Sequence, residues 1–186
     1  QNAEEQKEVL ASINELKNEF STYASIASVR NSIDTTNAFY EAEQEFFDSN
    51  EPIIKDLHIK FYKALGSSKF KNDLQKDFGN QLFNLADVSL KTFDVSIIED
   101  LKEENRLGTQ YTKLVASAEV EFNGEKLTLP ALSAFMESTD REVRKKAYHA
   151  NHGFFASHEQ EFDDIYDKLV KVRHRIAQKL GYKNFI

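Results

Sequence analysis

Apolar residues recur at spacings of three and four along most of this chain, and the places where that rhythm fails divide it into elements. Val9, Ile13, Leu16, Phe20, Tyr23 and Ala27 form one stripe, the signature of a helix with a single apolar face. The stripe breaks around Arg30, Asn31 and Ser32. A second helix is predicted from Asp34, whose carboxylate can accept from the amides that follow, and it carries Phe39, Phe46 and Phe47 up to Pro52. Proline lacks a backbone donor and crowds the preceding turn, so a kink or restart is expected there, with Ser49 available as a cap. Ile53, Leu57, Phe61 and Leu65 continue the pattern to a stop at Gly66. Phe70, Leu74 and Phe78 mark a short helix ending at Gly79, and Leu82, Phe83, Leu85, Ala86 and Leu90 mark another. Ser96 and Glu99 have the spacing of a capping box for a helix through Ile97, Ile98, Leu101, Leu107 and Tyr111.

The period then changes from 3.6 to 2. Ala118, Val120 and Phe122 alternate with Glu119 and Glu121, and Leu127 and Leu129 alternate with Lys126 and Thr128. Asn123-Gly124 lies between the two runs, so a two-stranded hairpin over roughly residues 116–129 is predicted. Pro130 suits the first turn of a short helix reaching Met136. Thr139 and Glu142 then have the spacing of a capping box for a final helix. Its stripe runs through Val143, Ala147, Asn151, Phe154, His158, Phe162, Ile165, Leu169, Val172, Ile176 and Leu180. Unbroken over residues 140–179, that helix would extend about 60 Å and need a large partner surface. The predicted class is mainly α: a multi-helix array with one long C-terminal helix and a single small β-hairpin.

Composition narrows the function classes. The chain has 186 residues, 40% hydrophobic and 30% charged, enough for one sizeable core and without a disorder signature. Fifteen Phe and seven Tyr against one Met and no Trp make aromatic packing dominant. A formal charge of -7 argues against nucleic acid or an anionic membrane as the main partner. No run approaches the eighteen apolar residues of a membrane span. The absence of cysteine excludes a disulfide framework and a thiolate zinc site, and it fits a cytoplasmic protein. The chain starts at Gln1, and Gly181 is followed by Tyr182, Phe185 and Ile186 with no polar tail. Both ends lead us to expect a piece of a larger protein.

Residues 140–147 (DREVRKKA), Phe154-Phe155, residues 164–173 (DIYDKLVKVR) and residues 180–185 (LGYKNF) resemble the oligoendopeptidase F family of zinc metallopeptidases. The resemblance extends upstream through residues 111–114 and 116–124, and through residues 32–35 and 39–43, so it covers nearly the whole chain. It implies a mostly helical peptidase with a zinc site on a His-Glu-x-x-His helix and a further downstream Glu. This chain departs from that pattern at the decisive point. Its one His-Glu pair is His158-Glu159, and Phe162 stands where the second histidine would be. No catalytic or metal-ligating residue is therefore assigned to any position. The resemblance places the zinc domain beyond residue 186, with residues 1–186 as the helical N-terminal portion.

Other candidate chemistry has to be weighed against plain structure. His149 and His152 sit three apart, a spacing at which both imidazoles can face one metal only if a third ligand comes from elsewhere. Asn151 and His158 are polar groups on an apolar stripe, either satisfied inside a core or lining a water-filled cleft. They are the two substrate-channel candidates. The acids Glu159, Glu161, Asp163, Asp164 and Asp167 precede the bases Lys168, Lys171, Arg173 and Arg175, which reads as a solvated face with pairs such as Asp164 to Lys168 and Asp167 to Lys171. Arg141, Arg144, Lys145 and Lys146 read as a wetted basic cluster.

Two functional readings follow. In the first, the chain is an inactive segment of a zinc oligoendopeptidase that hydrolyses short peptides, and it helps wall the substrate channel beside the remaining catalytic domain. In the second, it is a stand-alone helical scaffold or adaptor that holds a partner on its aromatic stripe.

Overall fold

A computed structural model describes residues 2–186. Among these, seven α-helices and one hairpin follow in the order α1 (Ala3–Ile33), α2 (Ala38–Gly66), α3 (Lys71–Lys91), a 3-10 turn (Val95–Ile97), α4 (Ile98–Ala116), β1 (Val120–Phe122), β2 (Glu125–Leu127), α5 (Leu129–Met136), α6 (Arg141–Ser157) and α7 (Glu159–Lys179). The expected class is present: helices throughout, with one two-stranded antiparallel sheet. No helix among the described residues is long and apolar enough to cross a membrane.

The helix boundaries are set by side chains that compete for the first free amides. α1 has a full capping box, with Asn2 Oδ1 accepting from Glu5 N–H at 2.9 Å and Glu5 returning to Asn2 N–H at 3.3 Å. Asp34 does not start α2. Its Oδ1 accepts from the amide and hydroxyl of Thr36, forming a local turn, and Asn37 caps the helix through the amides of Phe39 and Tyr40. Asp94 caps the 3-10 turn instead of Ser96 capping a helix. Asp140 displaces Thr139 as the cap of α6, accepting from Glu142 N–H at 2.8 Å.

Two predicted breaks have opposite outcomes. Gly79 interrupts α3 with φ 74° and ψ 173°, a region open in practice only to glycine, so the two short helices expected on either side of it are present. Pro52, by contrast, lies inside an uninterrupted α2 and is fully buried. The donor that the proline lacks is replaced from another helix: Asn105 on α4 donates from Nδ2 to the carbonyl of Asp48 at 3.1 Å. Ser49 therefore has no new helix end to cap.

The long final helix is divided. His158 has φ −114° and ψ 18°, outside the helical well, so α6 and α7 are separate segments of 17 and 21 residues. Apart from Phe162 at the start of α7, which packs with α6, each segment serves a different core. Ala147 and Phe154 of α6 pack with Ala118, Val120, Phe122, Leu129 and Leu132 of the hairpin and α5. Val172 and Ile176 of α7 pack with Ile59, Phe93, Ile97 and Leu107. Leu10, Leu65, Leu74 and Phe83 make a third cluster joining α1, α2 and α3. The first predicted stripe is only partly inward: Ala27 is buried, whereas Val9, Leu16 and Tyr23 are exposed and Leu10 and Asn31 take interior positions.

The hairpin closes at Asn123 (φ 53°) and Gly124 (φ 87°), the two left-handed residues of a type I′ turn. Val120 pairs with Leu127, Glu121 with Lys126 and Phe122 with Glu125. Thr128 caps α5 directly after β2.

Candidate functional site

The elbow between α6 and α7 carries His158, one of the two polar stripe residues singled out above. Phe154, buried against β1 and α5, fixes the last turn of α6. His158 stacks on its ring at 4.4 Å between centroids and places Nδ1 2.9 Å from the Phe154 carbonyl oxygen and 3.0 Å from Ser157 Oγ. A hydrogen on Nδ1 makes the ring a donor to that carbonyl, which also accepts from Ser157 Oγ at 2.8 Å. His158 is half-buried and ends a helix while satisfying its own polar atom. Phe162 stands one turn on, in contact with the Phe154, Phe155 and Tyr111 rings, so its position serves aromatic packing.

The same elbow forms one wall of a groove of about 440 Å3. Ala150, Gly153, Ser157 and His158 line it from α6, and Ser117, Glu119, Val120 and Glu121 line it from β1 and the residues before it. Ala150, Gly153 and Ser157 are small, which is what leaves space beside the strand. Asn151 does not line this groove; it is half-buried and its Oδ1 lies 3.2 Å from His152 Nδ1. The structure thus brings His158 to a cleft beside a strand and leaves Asn151 apart from it. Glu119, Glu121 and Gly153 were not foreseen as site residues. The only signal in the sequence is the small-residue spacing of Ala150, Gly153 and Ser157.

His149 and His152 are exposed, with His152 packed on Tyr148 at 3.9 Å between ring centroids. Among the described residues, no three His, Cys, Asp or Glu side chains gather as a metal site. The donor set here does not fit a zinc ion. A larger groove of about 730 Å3 runs between α1 and α2. It holds buried Asp48, which accepts from Thr109 Oγ1 at 2.7 Å and from Gln44 Nε2 at 2.8 Å, and His58, whose imidazole is held below its ordinary pKa by burial and then by nearby Lys17.

The charged faces are more structural than expected. Asp167 does pair with Lys171, at 2.5 Å, but Asp164 accepts from Gln160 at 2.9 Å. Arg173 reaches across to Glu104 at 2.7 Å, and Arg175 and Lys179 both reach buried Asp100 on α4. Burial alone would push the Asp100 carboxyl up, but the hydrogen bonds from Lys179 and Arg175 outweigh it and hold the group below its ordinary value. Arg144, from the basic cluster, donates to the carbonyls of Ser138 and Thr139 at 2.6 and 2.9 Å and ties down the loop before α6.

Comparison with known proteins gives this architecture its family. The model of the peptidase M3 N-terminal domain matches residues 1–93. The chain belongs to that family. Solved structures extend the likeness over the remaining half. PZ peptidase A, solved with an inhibitor, is 54% identical over 100% of this chain, with a TM-score of 0.94 and 33% of its own length covered. A candidate oligoendopeptidase F from Bacillus anthracis strain Ames is 48% identical over 100% of this chain, with a TM-score of 0.94 and 34% of its length covered. Another candidate oligoendopeptidase F is 47% identical, with a TM-score of 0.95 over the whole chain and 33% of its own. The chain therefore spans about a third of the length of these M3 relatives. No curated protein matches it.

Proposed function

We propose that the complete protein is a cytoplasmic, zinc-dependent oligoendopeptidase acting on short peptides, and that residues 1–186 are its helical N-terminal portion. In this reading the chain is inactive alone and forms part of the wall of the substrate channel, which Asn151 and His158 face. The observation that carries it is agreement with PZ peptidase A over every residue of this chain at 54% identity.

The metal would supply a polarised carbonyl and an activated water when bound. In this reading the metal's ligands come from the remainder of the protein, and the present chain takes no part in that step. What its residues contribute is shape. α2 presents Phe39, Phe46, Ile53 and Leu57 on one exposed face at helical spacing, an apolar surface that the catalytic domain would cover. A stand-alone adaptor would use the same face for a separate partner.

The deciding experiment is hydrolysis of quenched-fluorescent short peptides by the complete protein. Cleavage is expected, lost with a chelator and restored by zinc, while residues 1–186 alone cleave nothing. A complete protein without chelator-sensitive hydrolysis would falsify the peptidase reading and favour the adaptor.

A further inference from the structure

β1 has one partner, and its other edge is open. In a two-residue hairpin the residues flanking the turn exchange hydrogen bonds with each other, so Phe122 and Glu125 form a bonded pair, Glu121 and Lys126 an unbonded one, and Val120 and Leu127 a bonded one. The amide and carbonyl of Glu121, and by the same alternation those of Glu119, therefore point away from β2. No backbone partner meets either residue on that side among the described residues. Both line the groove whose opposite wall is Ala150, Gly153, Ser157 and His158 of α6. An open strand edge beside a wall of small side chains is the arrangement that takes an extended chain as an added strand.

The charges indicate what that chain carries. Glu119 and Glu121 share the solvated face of the strand, and Glu119 already pairs with Lys126 at 2.9 Å. Its carboxyl is held below its ordinary value by that hydrogen bond and charge. Lys126 faces Glu121 from the β2 side, and no lysine or arginine among the described residues lines the groove on the other side, so a strand added outside β1 sets its own side chains next to Glu121 at an edge without a cation. A basic side chain there gains a cross-strand partner, and an acidic one meets repulsion.

We propose that the outer edge of β1 and the facing wall of α6 form a docking groove for an extended peptide substrate, taken as an added strand with a basic side chain beside Glu121. This deepens the peptidase reading and rests on it. The groove selects the peptide by backbone and charge.

The test uses the complete protein with its metal removed by a chelator, so that peptide is held and not cut, and fluorescence anisotropy of labelled peptides containing one lysine. Glu121→Pro deletes the outward donor while sparing both bonded pairs, and Gly153→Leu fills the groove from α6 into open space. Each is expected to weaken peptide affinity at least about tenfold. Glu121→Lys is expected to reverse a preference of about three- to tenfold for the lysine peptide over its glutamate counterpart. Peptides bearing single backbone N-methyl groups are expected to lose affinity at alternate positions, a readout on the wild-type protein that remains if Glu121→Pro fails to fold. Unchanged affinity in Gly153→Leu and in folded Glu121→Pro overturns the proposal. So does a lowered melting temperature with unchanged affinity, which would mean that the chain's own remainder covers the edge. If the zinc-loaded protein cleaves peptides while these variants bind them normally, the groove assignment fails alone. Absence of any hydrolysis or peptide binding removes the peptidase reading as well.

Discussion

Asn105 on α4 completes the helix that Pro52 would otherwise leave open. Its Nδ2 lies 3.1 Å from the Asp48 carbonyl oxygen, four residues before the proline, and 3.2 Å from Glu51 Oε2. The side chain on one helix thus supplies a donor that the backbone of another cannot. Asn105→Ala is expected to cost about 1–3 kcal/mol, since it strands a half-buried carbonyl. In a Pro52→Ala background the same change should cost clearly less, because the alanine amide can satisfy Asp48. Denaturant unfolding of the four proteins of this cycle measures the coupling, and strictly additive losses would refute it.

Asp100 joins α4 to α7. It accepts from Arg175 Nε at 3.1 Å and from Lys179, with its own side chain buried and both cations about half in water. Its folded pKa lies below the unfolded value, so its contribution is present above the ordinary carboxylate range and is lost as pH falls through the folded pKa. Asp100→Asn should cost about 1–2 kcal/mol at neutral pH, a figure held down by the exposure of the cations. The difference from wild type should shrink below roughly pH 4. A difference independent of pH from 7 to 3 would rule out the ion pairs as its source.

How legible these features were depended on how local their causes are. The hairpin and its turn were legible, since Asn123-Gly124 between alternating runs specifies the turn type locally, although the strands are shorter than the expected 116–129: Ala116 ends α4 and Leu129 opens α5. The Gly79 break was equally local. Pro52 misled because its compensation comes from Asn105, 53 positions away, and no local pattern carries that information. The division at His158 was hidden because its stripe continues with helical spacing through the break; what splits it is that α6 and α7 pack on different cores. Family likeness in the quoted motifs was densest from Tyr111 onward, whereas the M3 N-terminal domain matches residues 1–93. The groove was illegible because it forms only where β1 and α6 meet, and Glu119 and Glu121 look like ordinary solvent-facing strand residues.

Gly79 and Gly108 should respond in opposite directions to the same substitution. Gly79 sits at φ 74° and ψ 173°, so Gly79→Ala forces a side chain into a region it avoids and is expected to cost about 1–3 kcal/mol. Gly108 lies inside α4 with open space where a methyl group would stand, so Gly108→Ala should stabilise by about 0.5–1 kcal/mol. Thermal melts of the two variants decide it. A stabilised Gly79→Ala protein would show that the break in α3 is not required.

His158 tests how the elbow serves selection. Its Nδ1 is engaged by the Phe154 carbonyl and its ring lies on Phe154, so His158→Leu loses one hydrogen bond and is expected to cost about 1 kcal/mol. A purely structural histidine would do no more than that. As a groove wall it also sets the shape met by a peptide, so in the complete enzyme His158→Leu should shift the relative cleavage rates within a panel of short peptides by more than about threefold, with zinc content intact. Asn151 is a sharper case, because it lies outside that groove and its one polar contact is with neighbouring exposed His152. If it faces the channel as proposed, Asn151→Leu should alter the same panel with little change in melting temperature. Zinc content by metal analysis, the peptide panel and a melt, measured together on both variants, separate the possibilities. Variants that change only their melting temperature would remove both residues from the channel wall.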